Sequence, residues 1–202
     1  MIALARPDNI IPMPQRPFVR TSLSNEWLTP SCYVDAARKV LGCIDLDPAS
    51  SEIANQTVKA ARYYTKEENG LAKAWHGRVW LNPPYGTTNG HSNQGIWAKR
   101  LIHEYSAANV QEAILLVTAA TDMKWFQPLW AYPICFVDHG IFFYRPHFND
   151  DMKHGQGSCF VYMGKNEQTF IDTFSRFGRI ARAIDTPAPR PVPLSLWEAH
   201  TW

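Results

Sequence analysis

Apolar positions recur at helical spacing over Ser31–Leu41, where Val34, Ala37 and Leu41 share one face and Gly42 supplies a stop. A short apolar run over 43–47 ends in acids and reads as a strand, and 52–62 carries the period of a second helix. Residues 78–82 form another strand pattern. It must end where Asn82-Pro83-Pro84-Tyr85-Gly86 begins, because proline has no N–H to give a ladder. An amphipathic helix follows over 96–105, with Ile96, Trp97, Leu101 and Tyr105 on its apolar side. Ala113-Ile114-Leu115-Leu116-Val117 is a buried-strand run. A helix near Trp125, strands at 134–137 and 159–163, a helix over 168–177 and an edge strand holding Ile180 and Ile184 complete the series.

Strands that alternate with helices, and are apolar on both faces, predict an α/β fold with a mainly parallel sheet and helices on both faces. Ligands in such sheets bind beyond the carboxyl ends of the strands. Asp45, Asp47 and the 82–86 segment all fall at such ends. Residues 24–185 are expected to form one domain. An extended arm is expected over 1–23, which contains Pro7, Pro12, Pro14 and Pro17, and a proline-rich tail over 186–202, which ends in Trp202.

Composition narrows the class without naming a partner. At 202 residues, with 46% hydrophobic and 19% charged side chains, the chain suits one globular core. No apolar stretch approaches a membrane span, and the first residues lack the basic start and apolar run of a secretion signal, so a cytoplasmic location is expected. The four cysteines and seven histidines show no metal-binding spacing, so no metal is expected. A formal charge of +2 leaves any nucleic-acid reading to local features.

Asn82-Pro83-Pro84-Tyr85-Gly86 suits chemistry on a weakly nucleophilic exocyclic amine, such as that of adenine. The Asn82 side-chain carbonyl and the Pro83 backbone carbonyl are two acceptors that can hold the amine's N–H bonds. Pro83 and Pro84 stiffen the backbone, Tyr85 offers a ring for stacking an extruded base, and Gly86 permits a close approach or an unusual turn. A plain Pro-Pro turn, with Asn82 capping backbone, is the alternative. Upstream, Ile44-Asp45-Leu46-Asp47-Pro48-Ala49-Ser50 places two carboxylates on one strand face, suited to a ribose diol or an ammonium. Here the alternative is helix capping by Asp47 or Ser50. There is no GxGxxG.

Taken together, Asn25-Glu26-Trp27-Leu28-Thr29-Pro30, the 44–50 block, Ala54-Asn55, Tyr63-Tyr64-Thr65, Asn69-Gly70-Leu71, Trp75 and Trp80-Leu81-Asn82-Pro83-Pro84-Tyr85-Gly86 resemble the phage-type, Dam-like DNA N6-adenine methyltransferases. The resemblance covers roughly 25–180. It implies a Rossmann-like methyltransferase fold, S-adenosylmethionine as cofactor, double-stranded DNA as substrate, and a phage or prophage origin in a bacterial cell. It matches Asn82, Pro83, Pro84 and Tyr85 to the catalytic motif. It places Thr29, Pro30, Asp45, Asp47, Pro48 and Asn69 around the cofactor. One departure is Gly140, which stands where relatives tend to carry arginine.

DNA contacts are expected from the polar stretch 87–94 with Gly86, Lys99 and Arg100, and from 144–154 with Arg145. Ordinary solvated loops are the alternative for both. Methylation of an amine in RNA or in a protein glutamine, and a catalytically silent DNA-binding module, are the rival functions.

Overall fold

The computed structural model describes residues 28–144, 153–154 and 157–183. The expected arm, the proline-rich tail, Arg145 and the Asn25-Glu26-Trp27 block lie outside these residues.

In chain order the elements are α1 (Ser31–Leu41), β1 (Leu46–Asp47), α2 (Glu52–Val58), β2 (Arg62–Tyr63), β3 (Gly77–Leu81), β4 (Thr87–Thr88) and β5 (His91–Ser92). Then come α3 (Asn93–Ser106), β6 (Val110–Thr118), β7 (Ile134–Val137), β8 (Phe142–Phe143), β9 (Lys153–His154), β10 (Ser158–Met163), α4 (Glu167–Phe174) and β11 (Gly178–Ala181). Short 3-10 turns occupy Gly70–Ala72 and Gln127–Ala131. The second stands where a helix near Trp125 was expected.

A seven-stranded sheet runs in the order β11-β7-β10-β6-β3-β1-β2. From β2 to β6 all neighbours are parallel; β10 is inserted antiparallel between β6 and β7, and β11 is antiparallel on the edge. Thus β1, β2, β3, β6 and β7 point one way, and β10 and β11 the other. The sheet is mainly parallel, an α/β arrangement consistent with the Rossmann-like methyltransferase fold.

Side chains obey the two-residue period. Val79, Leu81, Ala113, Leu115, Val117, Cys159 and Val161 face a core layer closed by Trp97, Ala98 and Leu101 of α3. Trp80, Ile114, Leu116, Phe160 and Tyr162 face the opposite layer, closed by α1 and by Phe170 and Phe174 of α4. Both faces of the central strands are therefore dry, as their continuous apolar runs require. Burial also accounts for Cys135 and Cys159, whose thiols it pushes upward, Cys135 to about 12.

The second helix is shorter than its apolar period, for a local reason. Lys59 turns left-handed (φ 52°), and the Asn55 side chain takes over the Ala60 backbone, accepting from its N–H at 2.8 Å and donating to its carbonyl at 3.3 Å. Arg38 of α1 then donates to the Thr57 and Val58 carbonyls, both at 2.9 Å, satisfying groups a helix C-terminus leaves open. Released from the helix, Arg62 and Tyr63 pair with β1.

Beyond β1 the chain is held by a close backbone contact. Gly70 is buried against the Pro48 carbonyl, where a β-carbon would collide with the oxygen, and the Gly70 carbonyl accepts from Trp75 Nε1 at 2.8 Å. The Gly70 contact thus fixes the loop that carries Asp47. Gly70→Ala is expected to destabilise the protein by about 1–3 kcal/mol, the usual cost of overpacking. Urea unfolding measures this; a variant as stable as the parent would show that the loop is not constrained there.

Candidate active site

The crevice follows from topology. The chain leaves β1 outward to β2 and returns on the other side of β1 as β3, so the carboxyl ends of β1 and β3 flank a topological switch point. Asp47 ends β1, and Asn82 stands one residue beyond β3. A cleft there is lined by Leu28, Thr29, Asp47, Ala49, Ala54, Thr57, Val58, Trp80 and Asn82. Its enclosed volume is about 40 Å³, room for a water or two. Leu28 and Thr29 form part of its wall. That wall is tied back by a bridge in which Leu28 and Tyr144 exchange backbone hydrogen bonds at 2.7 and 2.9 Å.

Asn82 is fixed at one end only. Its Nδ2 donates to Thr29 Oγ1 at 3.0 Å, while its Oδ1 is buried with no hydrogen-bond partner. Thr29 reaches this position because Pro30 starts α1 beside the sheet's carboxyl edge, its carbonyl accepting from Tyr33 N at 3.1 Å. Pro83 is buried and Pro84 half-buried, which leaves the motif little room to shift.

Tyr85 is half-buried, with its ring edge-on to Phe143 at a centroid distance of 6.1 Å and an angle of 74°. Burial pushes its hydroxyl above the usual phenol range, so the ring works as an uncharged surface. Gly86 adopts φ 90°, a conformation that favours glycine, and its carbonyl accepts from Asn93 N at 3.0 Å. The Asn93 side chain also donates to the Tyr85 carbonyl at 3.1 Å. Gly86 and Asn93 together turn the chain away from the motif.

The two acids of the 44–50 block part company. Asp47 is buried in the cleft wall, where loss of hydration pushes its carboxyl up to about 7 against the opposing pull of the Ser50 hydroxyl and the Ala49 N–H. Asp45 does not line the cleft. It pairs with Arg78 at 2.8 Å, accepting from that residue's Nε, Nη2 and backbone N, and this pairing holds its carboxyl down at about 2. The expected common face fails because only Leu46 and Asp47 are extended strand, and Asp45 lies against Gly77 at the opposite end of β3.

Other expected residues also separate from the cleft. Asn69 is exposed, opening the Gly70–Ala72 turn with φ 53°, and Pro48 serves as the surface on which Gly70 packs. Arg100 ties α3 to the 71–73 backbone: it pairs with Glu104 at 2.6 Å, donates to the Leu71 and Lys73 carbonyls, and lies over the Trp75 ring. These contacts hold Arg100 against the 71–75 segment. Lys99 is on the exposed side of α3. Sequence reasoning missed the anchoring by Asn93 and the hairpin β4–β5. The Asn89-Gly90 pair signalled that hairpin, being a two-residue turn between short polar strands.

The cleft wall thus carries Asp47, a carboxylate able to hold an ammonium or a diol, and Asn82, whose amide oxygen is buried and unpaired; the Tyr85 ring follows three residues on. Among the described residues no three histidine, cysteine or acidic side chains gather as a metal site, and no helix is long and apolar enough to cross a membrane.

Comparison with known proteins bears on what this arrangement does. The family described as DNA N-6-adenine-methyltransferase (Dam) matches residues 18–177. No curated protein and no solved structure gives a significant match. The match takes in the cleft, the Asn82-Pro83-Pro84-Tyr85 segment and nearly all of the sheet, and the chain belongs to the Dam family of DNA N6-adenine methyltransferases.

Proposed function

We propose that the protein transfers a methyl group from S-adenosylmethionine to the N6 amine of an adenine extruded from double-stranded DNA, inside a bacterial cell. The observation that carries this reading is the Asn82 amide: nitrogen tethered to Thr29, oxygen buried and unpaired at the sheet's edge. Leaving a buried acceptor unmade costs roughly 1–3 kcal/mol, a cost recovered when a donor arrives. The amine of adenine is such a donor.

Each residue then has a task. Asn82 Oδ1 and the Pro83 carbonyl accept from the two N–H bonds, raising electron density on nitrogen and orienting its lone pair. Tyr85 stacks on the extruded base, backed by Phe143. Asp47 holds the cofactor's ammonium or its ribose diol, either of which satisfies a buried carboxylate short of partners. Thr29 and Asn82 line the same cleft as Asp47, which supports a cofactor bound next to the amine. S-adenosylmethionine supplies an electrophilic methyl on a sulfonium that already leaves readily. The protein's contribution is therefore alignment rather than a strong base.

The reading is tested by offering labelled S-adenosylmethionine with DNA, RNA and protein in parallel. Label is expected in DNA as N6-methyladenine; label confined to RNA or protein would replace the DNA assignment. Asn82→Ala is expected to bind cofactor normally and to lose turnover by a factor on the order of 10² to 10³, the scale for removing one preorganised hydrogen bond at a reacting centre. Parental turnover in that variant would remove Asn82 from the mechanism. Tyr85→Ala is expected to weaken the fluorescence rise of 2-aminopurine placed at the target position, which reports how well the extruded base is held.

Asp47 makes cofactor binding depend on pH. Its folded pKa is raised, so in the free protein this group favours folding fully below the unfolded carboxyl pKa of 3.8, and that contribution is lost as pH rises toward about 7. Cofactor requires the ionised form. Between pH 5.5 and 7, S-adenosylmethionine affinity measured by calorimetry is expected to rise on the order of tenfold. Asp47→Asn is expected to bind weakly with a flat profile, and a flat profile in the parent would show that Asp47 does not face the cofactor.

A further inference from the structure

Directly after the catalytic motif, β4 and β5 form an antiparallel hairpin closed by Asn89 and Gly90, with φ 51° and 78°. Positive φ at both turn positions gives the tight two-residue hairpin whose twist matches its strands. Thr87, Thr88, Asn89, Gly90 and His91 are all exposed, and nothing lies within 4 Å of where a Gly90 β-carbon would sit. The hairpin is nevertheless anchored. Asn93 donates through Nδ2 to the Tyr85 carbonyl and through its backbone N to the Gly86 carbonyl, and its Oδ1 accepts from Thr88 Oγ1 at 2.7 Å. Ser92 caps α3 by accepting from Gly95 N at 3.2 Å.

The chemistry of the hairpin is specific. It holds no lysine, arginine, aspartate or glutamate, so it has little with which to grip phosphates. Its side chains are amide, hydroxyl and imidazole groups, which match the donors and acceptors on base edges. Its base is tied to the two residues that follow Pro84, so it keeps a fixed position relative to the reacting amine. A two-stranded ribbon is also narrow enough for the major groove.

We propose that the hairpin reads base edges flanking the target adenine and thereby sets the recognised DNA sequence, with Asn89 and His91 as its specificity-determining residues. This rests on the reading of the protein as an enzyme acting on DNA.

The test compares the full chain with the double variant Asn89→Gly/His91→Ala. Glycine retains the left-handed turn while removing the amide, so the hairpin itself is preserved. Both proteins are given a pool of duplexes randomised around one adenine, and the methylated sequences are counted; DNA affinity is measured from low to moderate salt. The parent is expected to favour one flanking sequence, and the variant to lose about tenfold or more of that preference. The slope of affinity against salt is expected to be unchanged, because no phosphate contact is removed. A preference that survives in the variant overturns the proposal, as does a parent indifferent to flanking bases or a variant whose main change is a shallower salt slope. A parent that labels no DNA at all overturns the enzymatic reading itself, and this proposal with it.

Discussion

The structure turns on one half-satisfied amide. A buried asparagine ordinarily finds partners for both ends of its side chain, because an unpaired buried polar atom costs about as much as a typical net hydrogen bond contributes, or more. Asn82 finds one, Thr29, and leaves its buried oxygen without a partner. The site is built to keep it so. Pro83 and Pro84 have no N–H to donate, and the cleft's lining includes the apolar side chains of Val58 and Leu28, which carry no donor. Folding energy from the dry layers on both faces of the sheet sustains that vacancy.

The same logic separates the two acids. Asp45 has a guanidinium bidentate against it and is partly solvated, so it is a fully paired, permanently charged strut between β1 and β3. Asp47 has the Ser50 hydroxyl and one backbone N–H to set against its burial and no cation, so burial lifts its pKa toward neutrality. A carboxylate in that state is poised to gain from a cationic or hydroxylic ligand, whereas Asp45 has nothing left to gain. Asp47, with its perturbed titration, and Asn82, with its unpaired oxygen, thus line one small cleft.

Much of this was legible from residues alone. The Ser31–Leu41 helix, the Ile134–Val137 strand and the buried runs at β6 and β10 follow directly from period, and the Pro-Pro stop located the end of β3 to one residue. Strand direction was not legible: an apolar run buried on both faces reads the same either way, so the antiparallel insertion of β10 left no mark. Nor was the loss of helix at 59, which depends on Asn55 capturing the Ala60 backbone in three dimensions. The site residues divide similarly. Asn82, Thr29 and Asp47 converge because they end neighbouring elements, while strand alternation put Asp45 on the face of Asp47 and could not reveal its ion pair with Arg78, 33 residues along the chain.

Asn93 shows how recognition and chemistry can share one rigid body. Its three hydrogen bonds join the Tyr85 and Gly86 carbonyls to the Thr88 hydroxyl, so the hairpin cannot tilt without pulling on the backbone that follows Pro84. Proline rigidity on one side and a capped helix on the other leave that backbone few alternatives. Transfer of a methyl group needs alignment within a fraction of an ångström, and misplacement of about 1 Å already costs on the order of a hundredfold. On the proposed reading, a duplex seated badly against the hairpin would present its adenine off-axis to Asn82, and discrimination would arise in turnover as well as in binding.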